Sequence, residues 1–164
     1  LTKLYNRRYL IQRLDEELKR IKRHNYPLVC MMIDIDHFKQ VNDKFGHTYG
    51  DLVLEQLADL IKKTIRSIDI ICRYGGDEIV IVLPYTSLEG AFLVAERLRK
   101  RAEEFAFGTI EKSLDLTISI GLIEIAGKDN ATIDSLFQKL DTQLYEAKNS
   151  GRNKTCGTLY ENPH

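Results

Sequence analysis

The sequence has few of the features typical of disulfide-rich, zinc-binding or membrane-spanning proteins. Its three cysteines, Cys30, Cys72 and Cys156, are odd in number and widely spaced. This spacing argues against a disulfide framework or a zinc site and indicates reduced thiols, so we expect a cytoplasmic location. No stretch approaches the roughly 20 apolar residues of a spanning helix, and no signal peptide is visible. We therefore expect no direct membrane contact by this domain.

An excess of charge of either sign is also missing. Lysine plus arginine and aspartate plus glutamate each number 24, so the formal net charge is +0. Without a global basic field, no nucleic acid is expected as a partner, and electrostatic recognition has to be local. The 164 residues, with 43% hydrophobic content and no internal repeats, predict one domain with a real core.

Hydrophobic spacing and turn residues predict alternating helices and strands. Asn6 is expected to cap a first helix that ends before Pro27, and the apolar run at 28–33 is typical of a strand buried on both faces. Further elements are predicted in the order helix, helix, hairpin, helix, strand and helix near residues 38–44, 54–65, 68–83, 86–98, 116–125 and 132–151. This β-α-β-β-α-β order predicts a ferredoxin-like α+β core, a central antiparallel sheet flanked by helices.

Local signals set the expected bounds of the last two helices. Thr86 and Glu89 form a capping-box pattern, and Leu93 is among the apolar residues expected to pack the helix that follows. Thr132 is expected to cap the final helix, which Gly151 is expected to stop.

The most informative stretch is Arg73-Tyr74-Gly75-Gly76-Asp77-Glu78, between the apolar runs at 68–72 and 79–83. Two glycines let the backbone approach a ligand, and adjacent Asp77 and Glu78 are expected to point to opposite sides of the second strand. With Asp34-Ile35-Asp36 after the strand at 28–33, they suggest a two-strand cation cradle. Taken alone, a glycine pair followed by acids is more typical of solvated turns.

Five separated motifs occur in a characteristic order, at residues 1–8, 34–43, 45–51, 73–78 and 144–153. In that order and spacing, the chain resembles the GGDEF family of bacterial diguanylate cyclases over nearly its whole length. The resemblance implies the fold of nucleotidyl cyclases and polymerase palms, and one GGDEF domain over residues 1–164. Because the chain starts within the first motif, we expect a piece of a longer signalling protein with a sensory or membrane-anchored part.

The resemblance implies that two GTP condense into cyclic di-GMP and two pyrophosphates. Each 3′-hydroxyl attacks the other nucleotide, so a homodimer with a two-fold axis is expected. Two Mg²⁺ or Mn²⁺ ions per active site are implied, at the positions of Asp34, the Ile35 carbonyl and Asp77. Catalysis is assigned to Asp34, Asp77 and Glu78. For Asp36, a helix-capping or turn-forming role is favoured over ligation.

The family's guanine-reading positions correspond to Asn42 and Asp51, with Leu54 as a pocket wall. An acceptor carboxylate and an amide suit the donors on the guanine edge. Taken alone, Asn42 is equally a turn residue, and Asp51 is equally an acid stabilised in the first turn of a helix.

Phosphate contacts are implied at two places. Lys148 and Arg152, one turn apart at a helix end, correspond to the family's triphosphate-binding pair, and favourable charge at a helix C-terminus is the alternative. Lys39 and the backbone amides of Phe38 and Lys39 are further phosphate contacts. Arg73 is interpreted as a surface strand residue without a catalytic role.

Arg66-Ser67-Ile68-Asp69 resembles the RxxD product-inhibition site of the family, in its spacing from Gly75. Arg66 can bind a phosphate and Asp69 can accept from guanine, whereas a solvated ion pair is the alternative. The chain departs from the family signature at Ile79, where phenylalanine is expected, and we expect repacking there without loss of the metal site.

Two rival functions remain open from the residues. The first is a catalytically weak sensor that binds cyclic di-GMP through Arg66 and Asp69, and the intact site residues argue against it. The second is another nucleotidyl transferase, which is expected to carry different guanine-reading residues.

Overall fold

The computed structural model describes residues 2–163, which form five helices and seven strands. The helices are α1 (Arg7–His24), α2 (Phe38–Phe45), α3 (His47–Lys62), α4 (Leu88–Glu104) and α5 (Ile133–Asn149). The strands are β1 (Leu28–Ile35), β2 (Ile70–Arg73), β3 (Glu78–Pro84), β4 (Ala106–Gly108), β5 (Ser113–Asp115), β6 (Ile118–Ile125) and β7 (Thr155–Leu159).

A five-stranded sheet in the order β2-β3-β1-β6-β7 forms the centre of the fold. Every residue of β1 is buried, as predicted, because β1 is the middle strand and is covered on both faces. Alternate side chains of β1 enter two separate cores: Ile33 packs in the core with α3 and α4, and Met32 packs in the core with α1 and α5. The predicted ferredoxin-like core is confirmed, and helices flank its sheet.

The sheet differs from the prediction at its edge. Strands β1, β2, β3 and β6 pair antiparallel, but β7, which was not predicted, pairs parallel to β6. The sheet is therefore mixed. The small β4–β5 hairpin was also not predicted.

Capping residues explain where most helices begin. Asn6 caps α1 by accepting a hydrogen bond from the Tyr9 amide at 2.9 Å, and Thr132 caps α5, both as predicted. The predicted capping box of Thr86 and Glu89 is wrong, because Ser87 is the N-cap of α4. Leu93 is also misassigned, since 67% of it is exposed.

Two further findings concern the core and the surface. Ile79, at the position where the resemblance implies phenylalanine, is fully buried, and Cys30, Cys72 and Cys156 are free thiols. None of the helices between residues 2 and 163 has the length and apolar character needed to cross a bilayer.

Candidate active site

The tip of the β2–β3 hairpin presents the Gly75-Gly76-Asp77 turn. The Tyr74 and Gly75 amides donate to the Glu78 carbonyl at 2.9 and 3.3 Å and close the turn. Arg73 donates from Nη2 to the Gly76 carbonyl at 2.8 Å. The interpretation of Arg73 as a surface residue is incomplete, because its guanidinium braces the turn and lines the cavity beside Asp77. Nothing in the local sequence pattern indicated this contact.

Asp34 lies beside this turn at the end of β1, as the partner of Glu78 in the β1–β3 register. Asp34 is only 6% exposed, and its Oδ1 has no hydrogen-bond partner. The Lys148 ammonium contacts Oδ2. Burial is the main cause that raises the pKa of Asp34 to about 7, and the neighbouring Asp77 carboxyl adds to it, whereas Lys148 opposes the shift.

Asp77 and Glu78 face different neighbours. Asp77 lines the cavity beside α2 and α3, whereas Glu78 lies near Asp141 and Lys148 of α5. This agrees with the expectation that they point to opposite sides. Burial raises the pKa of Glu78, with smaller contributions from the Asp77 and Asp141 carboxylates. The acids therefore form a site of concentrated negative charge.

The donor set near Asp34 fits a magnesium-type ion. Among residues 2–163, no three side chains of histidine, cysteine, aspartate or glutamate converge on one point. A bound cation would thus have the carboxylates of Asp34 and Asp77, the Ile35 carbonyl, and oxygens of substrate or water. Mg²⁺ is commonly bound in this way, by one or two carboxylates plus phosphates. The unpartnered, buried Oδ1 of Asp34 is the structural feature that supports this fit.

A cavity of about 420 Å³ lies between the hairpin tip, α2 and α3. The predicted residues Phe38, Lys39, Asn42, Asp51, Leu54 and Asp77 all line it. Oδ1 of Asn42 is buried without a hydrogen-bond partner, as expected for an atom that meets a ligand. Gly50, which sequence reasoning missed, makes room for it, since a Cβ there would lie 1.9 Å from this oxygen.

The fold places only some of the predicted phosphate-binding groups where they were expected. The first-turn amides of Phe38 and Lys39 have no acceptor within α2, so they are free to meet an anion. Lys148 contacts Asp34. The prediction that Arg152 lies one helical turn after Lys148 is wrong: α5 ends at Asn149, and Arg152 has a left-handed backbone with φ 61°.

Asp36 lies in the turn between β1 and α2, which agrees with one of the two roles favoured from sequence, but it does not cap the helix. His37 is the N-cap residue of α2, without a side-chain cap bond. Both carboxylate oxygens of Asp36 instead accept hydrogen bonds from residues distant in sequence, Thr117, Ser119 and Asn153.

Arg66 and Asp69 lie at the opposite end of β2, away from the Gly75-Gly76 turn. Arg66 Nη2 donates to Asp69 Oδ1 at 2.8 Å and also contacts the Pro84 carbonyl and Thr86 Oγ1. The Asp69 side chain is 2% exposed and that of Arg66 is 50% exposed, so the pair is only partly solvated. These residues line a second cavity of about 350 Å³ together with Arg97 of α4, which sequence reasoning missed.

Comparisons with known proteins identify the family to which the chain belongs. The family profile described as "Diguanylate cyclase, GGDEF domain" matches residues 1–154. The chain is 42% identical over 159 residues to the response regulator PleD of Caulobacter vibrioides, which covers 96% of this chain and 35% of PleD. The chain thus spans about a third of the length of that relative.

Two solved structures are similar across the whole fold. The diguanylate cyclase SiaD of Pseudomonas aeruginosa, in complex with its activator SiaC, has a TM-score of 0.90 at 38% identity, over 96% of this chain and 60% of that chain. The coiled coil and GGDEF domain of DgcB from Caulobacter crescentus, in complex with c-di-GMP, has a TM-score of 0.88 at 26% identity, over 96% of this chain and 83% of that chain. On the profile match and these similarities, the chain belongs to the GGDEF domain family of diguanylate cyclases.

Proposed function

We propose that this chain is the catalytic domain of a longer signalling protein and condenses two GTP into cyclic di-GMP and two pyrophosphates. The observation that supports the proposal is that the acidic cluster and the cavity adjoin at the Gly75-Gly76-Asp77 turn. Asp77 belongs both to the acidic cluster with Asp34 and to the cavity that contains Asn42 and Asp51. A guanine in this cavity brings its own phosphates towards the acidic cluster.

Recognition of the base follows from the polar groups of the cavity. The Asp51 carboxylate and the Asn42 amide oxygen accept from N1–H and N2–H₂ of guanine, and Leu54 covers one face of the ring. Adenine has an acceptor at N1 and lacks the 2-amino group, so it leaves these acceptors unpaired. The cavity therefore favours GTP over ATP.

The reaction is an in-line displacement at phosphorus. The 3′-oxygen of one GTP bonds to the α-phosphorus of the other, the α–β bridging bond breaks, and pyrophosphate leaves with its electrons. Glu78 is the candidate acceptor of the hydroxyl proton, and burial raises the pKa of its carboxyl. Mg²⁺ or Mn²⁺ held by Asp34, the Ile35 carbonyl and Asp77, two ions per site, would neutralise the phosphates. Lys39, Lys148 and Arg152 bind the triphosphate.

One chain provides half of the reaction centre. Each chain has one guanine cavity, and both 3′-hydroxyls attack across the pair, so two chains face each other about a two-fold axis. The product is proposed to bind the second cavity, where Arg66 and Arg97 meet its phosphates and Asp69 its guanine. The c-di-GMP complex of DgcB supports product binding in this family.

Product analysis tests the proposed function. Purified protein is incubated with GTP and Mg²⁺ over a range of protein concentrations, and the nucleotides are separated. Cyclic di-GMP and pyrophosphate are expected, with a rate per chain that falls on dilution. Asp77→Asn is expected to abolish turnover with the fold intact, whereas Asp59→Asn, at an exposed position of α3, serves as the matched control. Binding of cyclic di-GMP without turnover would indicate a sensor, and a different product would indicate another transferase.

A further inference from the structure

The segment after α5 holds Arg152 in an unusual backbone conformation. Gly151, Arg152 and Asn153 have φ values of 122°, 61° and 47°. Residues other than glycine seldom adopt positive φ, and two of them in succession require support from the surroundings. The Arg152 amide donates to the Ala147 carbonyl at 3.1 Å, which ends α5 but does not hold the residue that follows.

The support comes from Asp36, 117 residues earlier in the chain. Asp36 is 3% exposed, and its Oδ2 accepts from the Asn153 amide at 2.9 Å. The same carboxylate is fixed by Thr117 Oγ1 on Oδ2 and by Ser119 Oγ on Oδ1, each at 2.6 Å. Three donors thus satisfy a buried charge and aim one of its oxygens at the Asn153 amide.

Helix α4 holds Asn153 from a second side. Arg99 Nη1 donates to Asn153 Oδ1 at 2.9 Å, and Asn153 Nδ2 donates to Glu103 Oε1 at 3.0 Å. Arg99 is itself oriented by Glu96, whose Oε2 accepts from Nη2 at 2.9 Å. The backbone and the side chain of Asn153 are therefore both fixed, and Arg152 lies between this anchor and the end of α5.

We propose that Asp36 is a positioning residue for Arg152, a role that rests on the proposed binding of GTP. Arg152 is exposed, so the backbone conformation sets the direction in which its side chain leaves the chain, and hence the region that its guanidinium can reach. Asp34 and Asp36, near the same end of β1, then have different roles. Asp34 contacts Lys148 in the acidic cluster, and Asp36 positions Arg152, the second cation of the phosphate-binding pair. Loss of Asp36 releases Arg152 and weakens binding of the triphosphate, while the guanine cavity stays intact.

Calorimetry with two probes tests this role in the presence of Mg²⁺. The probes are GMP and a GTP analogue with a methylene group between the α- and β-phosphates, which cannot release pyrophosphate. Arg152→Ala gives the reference value, namely the loss of analogue affinity when the Arg152 side chain is absent. Asp36→Ala is expected to weaken the analogue about tenfold, as loss of an arginine–phosphate contact does, with little change for GMP. The double variant should bind the analogue no more weakly than Arg152→Ala alone, because Asp36 acts through Arg152.

Two further variants separate positioning from general stability. Ser119→Ala removes a donor to Asp36 but leaves the bond to the Asn153 amide, so it should lower the melting temperature without changing the ratio of analogue to GMP affinity. Asn153→Ala removes the anchor on α4 and should lower that ratio. If Asp36→Ala does not fold, Asp36→Asn, which keeps the side-chain volume but loses one of the two acceptor oxygens, and its double variant with Arg152→Ala provide the comparison.

The outcomes are distinct. Unchanged analogue affinity in the Asp36 and Asn153 variants, additive losses in the double variants, or an equal loss in Ser119→Ala would each overturn the positioning role and leave the proposed function standing. Wild-type protein that binds the analogue no better than GMP would overturn both proposals.

Discussion

At the scale of single residues, the ionised form of the buried Asp34 carboxyl lowers the stability of the fold. Its pKa is raised from 3.8 to about 7, chiefly by burial and then by the Asp77 carboxyl. Between these two values the folded chain keeps a proton that the unfolded chain has released. Stability therefore falls as the pH rises through this window, and the penalty is fully present above pH 7.

Replacement of Asp34 by asparagine should remove this pH dependence. In buffers without divalent cations, the unfolding free energy of the wild type should fall relative to Asp34→Asn between pH 4.5 and pH 8. We expect a change on the order of 1 to 3 kcal/mol, since one pKa unit corresponds to about 1.4 kcal/mol. Urea denaturation at each pH measures it. Asp59→Asn, at an exposed position, is the control, and parallel curves for the wild type and Asp34→Asn would contradict the prediction.

Gly50 should determine how well the cavity reads guanine. A methyl group at this position would lie 1.9 Å from Asn42 Oδ1, so Gly50→Ala has to displace the Asn42 side chain. We expect GTP affinity to fall by about tenfold, roughly 1.4 kcal/mol, and the preference over ATP to narrow. Gly90→Ala is the matched control, because the nearest atom to its Cβ is 3.5 Å away. Equal GTP binding by Gly50→Ala and the wild type would remove Asn42 from base recognition.

At the scale of elements, the two adjacent hydroxyl residues at the start of α4, Thr86 and Ser87, have different roles. Ser87 accepts a hydrogen bond from the Gly90 amide, whereas Thr86 contacts Arg66 and the Pro84 carbonyl. Ser87→Ala should therefore destabilise the protein by about 1 kcal/mol through loss of the cap. Thr86→Ala should cost less in thermal or urea unfolding. A larger loss for Thr86→Ala would show that the contact with Arg66, and not the cap, holds this end of α4.

Elements whose signals lie within a few residues could be predicted from the sequence. Asn6 and Thr132 each bond an amide three residues away, so local patterns identify the starts of α1 and α5. Strand β7 was missed because it is short, contains Gly157 and has no fully buried side chain. The roles of Asp36 and of the Arg152 backbone were also missed, because their partners are far apart in sequence and meet only after folding.

At the scale of the whole molecule, the two cavities lie at opposite ends of β2. The proposed inhibition by product therefore requires coupling between two distinct sites. Arg66→Ala removes a planar donor group and should weaken inhibition by cyclic di-GMP. The measurement is the ratio of initial rates with and without added product. Arg97→Ala, in the same cavity, should weaken inhibition while leaving the contacts of Arg66 with Asp69, Pro84 and Thr86 in place.

Thermal unfolding and the dimerisation state of both variants are measured in parallel. Inhibition curves identical to that of the wild type would show that Arg66 and Asp69 form a purely structural ion pair with no role in inhibition. A loss of rate without added product would indicate that Arg66 supports the fold or the dimer.

The parallel strand β7 has a consequence for protein synthesis. The four antiparallel strands of the sheet and the helices between them all precede β7 in the chain, so this core can assemble on the ribosome before β7 emerges. Arg152 and Asn153 lie just ahead of β7, and the Lys154 carbonyl accepts from the Ile120 amide at 2.9 Å at the start of the β6–β7 pairing. On the proposed role of Arg152, the triphosphate site is therefore completed only when β7 pairs with β6.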